Sequence, residues 1–227
     1  MTDAAADPLR AAADPLRAAE DTMRAVRDRC VWSQQIDHRA LVPYLVEEAA
    51  ELIDAVEGGT RAELREELGD LLWQVLFHAE IASRDEAEPF GIDDVARGLT
   101  EKMVRRHPHV FGDAVARTPE EVLVHWNAAK AAEKSARTSV LDGVSPHMPA
   151  LALAQKMLGK AAQARVPAPP VADGAEPVLA DESALGDALL ALVATARAQG
   201  WDAERALRAR LRILEAEIRE TEASSAT

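Results

Sequence analysis

Apolar positions in this chain recur at three- and four-residue spacing over long stretches, and no run alternates with the two-residue rhythm of a strand. Leu45, Ala49, Leu52 and Val56 form one stripe on a helix of about 3.6 residues per turn. Leu64, Leu68, Leu71 and Val75 repeat that stripe nineteen positions later. The pattern predicts helices over about 15–29, 41–56, 61–82, 93–107, 119–136, 150–164, 181–199 and 202–222. End signals fix several of these boundaries. Asp14 ahead of Pro15 reads as a cap followed by a proline suited to the first turn. Thr118-Pro119-Glu120-Glu121 reads the same way, with Glu121 closing a capping box. Pro108 stops the fourth helix, because the residue before proline avoids the helical region.

Breaks in the pattern divide the chain. Residues 1–19 contain a seven-residue tandem, Ala6–Ala12 and Ala13–Ala19, expected to be loosely ordered. Residues 20–140 form a first helical domain, 141–165 a connecting turn and helix, and 166–180 a proline-rich linker. Residues 181–222 form a second helical segment, and 223–227 a tail.

The polar positions beside the two stripes carry the chemistry. Read over each other, Leu45–Ile53 and Leu64–Leu72 give L-x-E-E-[AL]-[AG]-[ED]-L-[IL] twice. Glu48 and Glu67 lie about 40° from the middle of their stripes, at the edge of the core, with Glu51 and Asp70 next around the same side. The link Glu57-Gly58-Gly59-Thr60 is short, so the two helices are expected to be antiparallel neighbours. Four carboxylates would then face one another with no Lys or Arg among them, an arrangement that calls for a hard divalent cation. An all-carboxylate set favours Mg2+ or Mn2+. Gly69, inside the second helix, predicts a close approach of another element. A weaker copy follows 117 positions on, where Gly186-Asp187 matches Gly69-Asp70. Ala184 stands there in place of Glu67 and no acidic helix precedes it, so that copy is expected to serve packing or dimer formation.

Charge and composition narrow the function. A net charge of -13 and a pI near 4.9 argue against nucleic acid as a partner. The single cysteine, Cys30, allows no internal disulfide, and it is expected to be a small buried apolar side chain. No apolar run approaches the roughly 18 residues of a membrane span, and no signal-type start is present, so a cytoplasmic, membrane-free protein is expected. Phosphate-loop, dinucleotide-binding, zinc-protease and serine-hydrolase motifs are absent. Against the acidic background, Lys102, Arg105 and Arg106 cluster at the end of the fourth helix, and Trp126 and Lys130 share a face of the fifth. Beside a cation held by carboxylates, such residues suit a polyphosphate and a base.

These motifs resemble the MazG family of nucleoside triphosphate pyrophosphohydrolases. The family pattern E-E-x-x-E followed by E-x-x-D is matched by Glu47-Glu48…Glu51 and Glu67…Asp70. Val42–Glu48, Glu67–Leu72 and Arg105–Phe111 are similar to it throughout. The resemblance implies an all-α, MazG-like helical bundle with a degenerate second repeat at the C-terminus, working as a homodimer. It implies hydrolysis of a nucleoside triphosphate to monophosphate and pyrophosphate with Mg2+ or Mn2+, for nucleotide-pool sanitation or regulation. It implies metal ligation by Glu48, Glu51, Glu67 and Asp70, and phosphate or base contacts from Lys102, Arg105, Arg106, Trp126 and Lys130. Glu47 is the candidate base. The alternative is a non-catalytic helical regulator that keeps a nucleotide-binding bundle. One departure stands out. The family's Cys-Pro-Trp-Asp is here Cys30-Val31-Trp32-Ser33, without the acid.

Overall fold

The computed structural model of the chain describes residues 14–133, 139–167 and 179–225, with side chains through residue 220. Among these residues every regular element is helical and none is a strand. The order is α1 (Pro15–Arg29), α2 (Val42–Gly58), α3 (Arg61–Ala82), α4 (Ile92–Arg106), α5 (Pro108–Phe111), α6 (Pro119–Ala132), α7 (Ala150–Gln163), α8 (Glu182–Ala198) and α9 (Ala203–Ser225). A single 3-10 turn, Ser33–Gln35, interrupts the loop before α2. The fold is all-α. Residues 15–19, assigned to the N-terminal repeat on sequence, belong to α1. Residues 1–13 and the linker residues 168–178 lie outside the described residues.

Local chemistry sets the helix ends. The Asp14 carboxylate accepts from the Leu16 and Arg17 amides at 3.1 and 3.3 Å. Thr60 and Glu63 form a reciprocal capping box that starts α3, with Glu63 accepting from the Thr60 amide at 2.6 Å. At α6 the box is displaced. Thr118 accepts from Glu121, but the Glu121 carboxylate reaches back to the Arg117 amide at 2.6 Å. Gly59 is the residue that lets α2 turn into α3, because a Cβ there would lie 2.7 Å from the Ala55 Cα.

The chain divides into two compact units, residues 1–133 and 134–227. In the first, α2 packs along α3, α1 crosses α3, and α4 joins α3 to α6. Met23 of α1, Leu41 ahead of α2, and Leu76 and Phe77 of α3 form the buried centre. Burying each such side chain contributes on the order of 1.5–3 kcal/mol. At the rim, Glu80 is nine-tenths buried but paired with Arg84, which also grips Asp28 at 2.6 Å and so ties α3 to α1.

The stripe predicted for α3 is not the one that enters this core. Leu68 is 52% and Val75 41% exposed, whereas Leu76 and Phe77 are buried and Leu72 and Trp73 pack against them. Between Leu71 and Phe77 the helix is apolar on almost every side, so periodicity alone could not choose a face. Docking of α1 chose it.

In the second unit α7, α8 and α9 pack on one another, with Val193 and Ala194 of α8 buried. The turn into α9 runs through Gly200, whose φ of 71° favours glycine. Gln155 of α7 braces that turn. Its amide nitrogen donates to the Trp201 carbonyl at 2.8 Å and its oxygen accepts from the Ala203 amide at 3.0 Å.

Candidate active site

The α2–α3 hairpin brings residues equidistant from its glycine link into contact. One oxygen each from Glu48, Glu67 and Asp70 lies within 4.8 Å of the others. Glu48 and Glu67 are half-buried and Asp70 is exposed. Burial, followed by the charges of Asp70 and Glu51, pushes the Glu48 carboxyl above its ordinary range, and a hydrogen bond from Gln74 works against that rise. Burial, then Glu51 and Asp70, pushes Glu67 up as well. All the neighbouring charges acting on these two residues are negative. One oxygen of Glu67 is buried with no hydrogen-bond partner.

Glu51 stands outside the trio. It is exposed, although its charge still acts on Glu48 and Glu67. Glu47 is exposed on the other side of Glu48 and acts on it least. Clustered anionic oxygens and an orphaned buried oxygen, with no cation acting on them among the described residues, are what a hard divalent ion would satisfy. The donor set therefore fits such an ion, with Glu48, Glu67 and Asp70 as the residues able to hold it.

The predicted basic and aromatic residues lie on α4 and α6. Arg105 and Arg106 both bond to Glu133, at 2.9 Å and 2.6 Å. Hydrogen bonds from Arg106 and Arg105 hold the Glu133 carboxyl far below its usual range, at about 2. The Arg106 guanidinium lies 5.0 Å from the centre of the Trp126 ring, and His107 meets the same ring edge-on at 5.1 Å. His107 is pinned in turn by a 2.7 Å contact between its Nδ1 and the Met103 carbonyl. Lys102 and Lys130 are half-buried on α4 and α6. The contacts described for Arg105, Arg106 and Trp126 are thus with Glu133, His107 and each other, not with the carboxylate trio.

Of two further residues that matter here, Gln74 was not singled out on sequence and Ser33 was noted only as a missing acid. Gln74 is only 5% exposed, and its Nε2 donates to Glu48 Oε1 over a long 3.4 Å. A lone amide inside the apolar run Leu71–Phe77 is the signal that could have found it. Ser33, which stands where the resemblance expects an acid, is fully buried, and its hydroxyl donates to the Val26 and Cys30 carbonyls at 2.8 and 3.0 Å. A carboxylate could not donate those bonds. The departure therefore docks the loop onto the end of α1. The adjacent Trp32, half exposed, meets Tyr44 and Phe77 edge-on.

An acid-lined helical hairpin of this kind defines an all-α protein whose clustered carboxylates could hold a divalent cation. Comparison with known proteins gives the family. Residues 36–111, from the loop before α2 through α5, match the MazG nucleotide pyrophosphohydrolase domain. The nucleoside triphosphate pyrophosphohydrolase of Escherichia coli K12 is 35% identical over 213 residues, covering 85% of this chain and 80% of that one. The protein of the same description from Mycobacterium tuberculosis H37Rv is 51% identical over 138 residues, and that match spans 42% of its length. An uncharacterised 26.1 kDa protein of Streptomyces cacaoi is 49% identical over 193 residues, covering 85% of this chain and 76% of that one. This chain belongs to the MazG family.

Proposed function

We propose that this chain hydrolyses nucleoside triphosphates to a nucleoside monophosphate and pyrophosphate, using a divalent cation, Mg2+ or alternatively Mn2+. The observation that carries the reading is the convergence of Glu48, Glu67 and Asp70 within 4.8 Å, with a buried Glu67 oxygen left unpartnered. Family membership supplies the reaction class. Glu48, Glu67 and Asp70 hold the cation, and Glu51 completes the set from the edge. The cation would offset charge on the phosphate oxygens and help to align a water. Glu47 beside the trio is the candidate base for that water, whose attack at the α-phosphorus releases pyrophosphate. Lys102, Arg105, Arg106 and Lys130 meet phosphates, and Trp126 lies near the base. For Arg105 and Arg106 the incoming phosphate competes with Glu133, which presents both guanidiniums as a preset pair.

The reading includes a homodimer. The Leu68 and Val75 stripe leaves a half-exposed apolar face on α3 that a second copy would cover. No helix of the described residues is long and apolar enough to cross a membrane. We place the enzyme in the cytoplasm, acting on free nucleotides rather than nucleic acid, in sanitation or regulation of their pool.

A product assay tests the proposal. The purified chain is incubated with each canonical nucleoside triphosphate and deoxynucleoside triphosphate, with Mg2+ or with EDTA, and products are separated. Monophosphate and pyrophosphate formed only with metal are expected. Inorganic phosphate as the product would move the attack to the γ-phosphorus, and turnover in EDTA would remove the cation from the reading. Inactivity throughout would favour a regulatory partner protein.

A further inference from the structure

One buried polar group beside the carboxylates is only partly satisfied by the fold. Gln74 sits on α3 four residues after Asp70 and seven after Glu67, on the same helical face. Its side chain is nineteen-twentieths buried, and its nitrogen points at the Glu48 carboxylate. Its Oε1 is buried and accepts no hydrogen bond among the described residues. Reversing the amide gives no relief, because it would aim the oxygen at a carboxylate that can donate nothing when ionised. A buried amide with half its bonding capacity unused destabilises a helix core. A methionine or leucine would fill the same space without that cost. Gln155 in the second unit shows the contrast, since both ends of its amide are bonded.

We propose that Gln74 is a positioning residue of the carboxylate site: its amide nitrogen holds Glu48 in register with Glu67 and Asp70, and its unpartnered oxygen accepts a hydrogen bond from a water brought in with the divalent cation. The inference rests on the cation reading above and adds to it a residue outside the acidic set. Partners of this kind orient metal ligands without touching the metal. The residue therefore contributes to cation binding what it takes from the stability of the metal-free fold.

The opposite signs make the test. Mn2+ is titrated calorimetrically into the nucleotide-free full chain, and thermal unfolding is followed in EDTA, for wild type, Gln74→Met and Gln74→Leu. Both variants are expected to weaken Mn2+ binding about 10- to 100-fold. Their unfolding midpoints in EDTA are expected to equal or exceed that of wild type. A purely structural glutamine would lower the midpoint instead. Wild-type Mn2+ affinity in the variants overturns the inference alone. Variants that unfold or lose stability in EDTA overturn it too, because an unpartnered amide must not be what holds the metal-free protein together. A wild-type chain that binds no Mn2+ overturns the cation reading and this inference with it.

Discussion

Gly69-Asp70 in α3 and Gly186-Asp187 in α8 occupy matching places in two helices, yet their surroundings differ in one respect that decides the chemistry. The helix packed against α3 is α2, which supplies Glu48, and α3 itself supplies Glu67 one turn before Asp70. Of the helices packed against α8, α7 has Lys156 and Lys160 but no acid, and α9 has acids that form no three-carboxylate cluster with Asp187 among the described residues; the position matching Glu67 is Ala184. An aspartate alone is a solvated surface charge. Three carboxylates forced together become a site because their mutual repulsion and partial burial leave a deficit of positive charge. The glutamines repeat the lesson. Gln155 braces a turn with both ends of its amide, whereas Gln74 spends one end on Glu48 and leaves the other unused. A satisfied buried polar group explains itself by structure, and an unsatisfied one asks for a ligand.

The largest effect should come from breaking the trio and sparing its counterpart. Glu67→Gln is expected to cut turnover about a hundredfold or more, since losing one anionic ligand forfeits several kcal/mol of charge stabilisation. Asp187→Asn should leave turnover unchanged, with both measured as pyrophosphate release at saturating Mg2+. Equal losses in the two variants would mean that the second unit has kept a site after all.

A smaller effect should appear in stability, with a definite sign. The folded-state pKa of Glu67 is raised from the ordinary 4.5. Its contribution to stability is therefore fully present below that value, and it is lost as pH rises through the higher folded value. In EDTA, Glu67→Gln should unfold at a higher temperature than wild type at pH 7, and the gap should close towards pH 4. Millimolar Mg2+ at pH 7 should reverse the order, because only the ionised trio gains from the cation. A gap that stays constant with pH would show that neither burial nor the neighbouring carboxylates raise Glu67 in the folded chain.

The smallest effect concerns the two glycines. Gly69 was expected to mark a close approach, but a Cβ built there meets nothing within 4 Å, and the same holds at Gly186. Either Gly→Ala change should raise helix stability by about 0.5–1 kcal/mol, seen as roughly 1–4 °C in the unfolding midpoint. Should Gly69→Ala alone dissociate a homodimer in sedimentation, the close approach would belong to a second copy.

Much of the fold was legible in the residues because helix ends are written locally. Asp14, Thr118 and the prolines at 15, 108 and 119 mark boundaries within a residue or two of those observed. Glu48, Glu67 and Asp70 were legible for the same reason, since spacing along a helix fixes a shared face and a short glycine link fixes an antiparallel partner. The face that α3 turns inward was not legible, because Leu71–Phe77 is apolar nearly all round. Nor was Ser33, whose burial depends on carbonyls at the end of α1.

By itself, then, the sequence determined the all-helical class, most helix starts and the doubled acidic register, all consequences of backbone periodicity and capping within a few residues of each side chain. Only the tertiary structure decided that Glu51 stands aside from the trio, that Glu133 engages Arg105 and Arg106, and that Gln74 faces Glu48 with a free oxygen. Those outcomes depend on which face of one helix meets another. That choice is settled by the summed burial of side chains distant in sequence, and no local pattern encodes it.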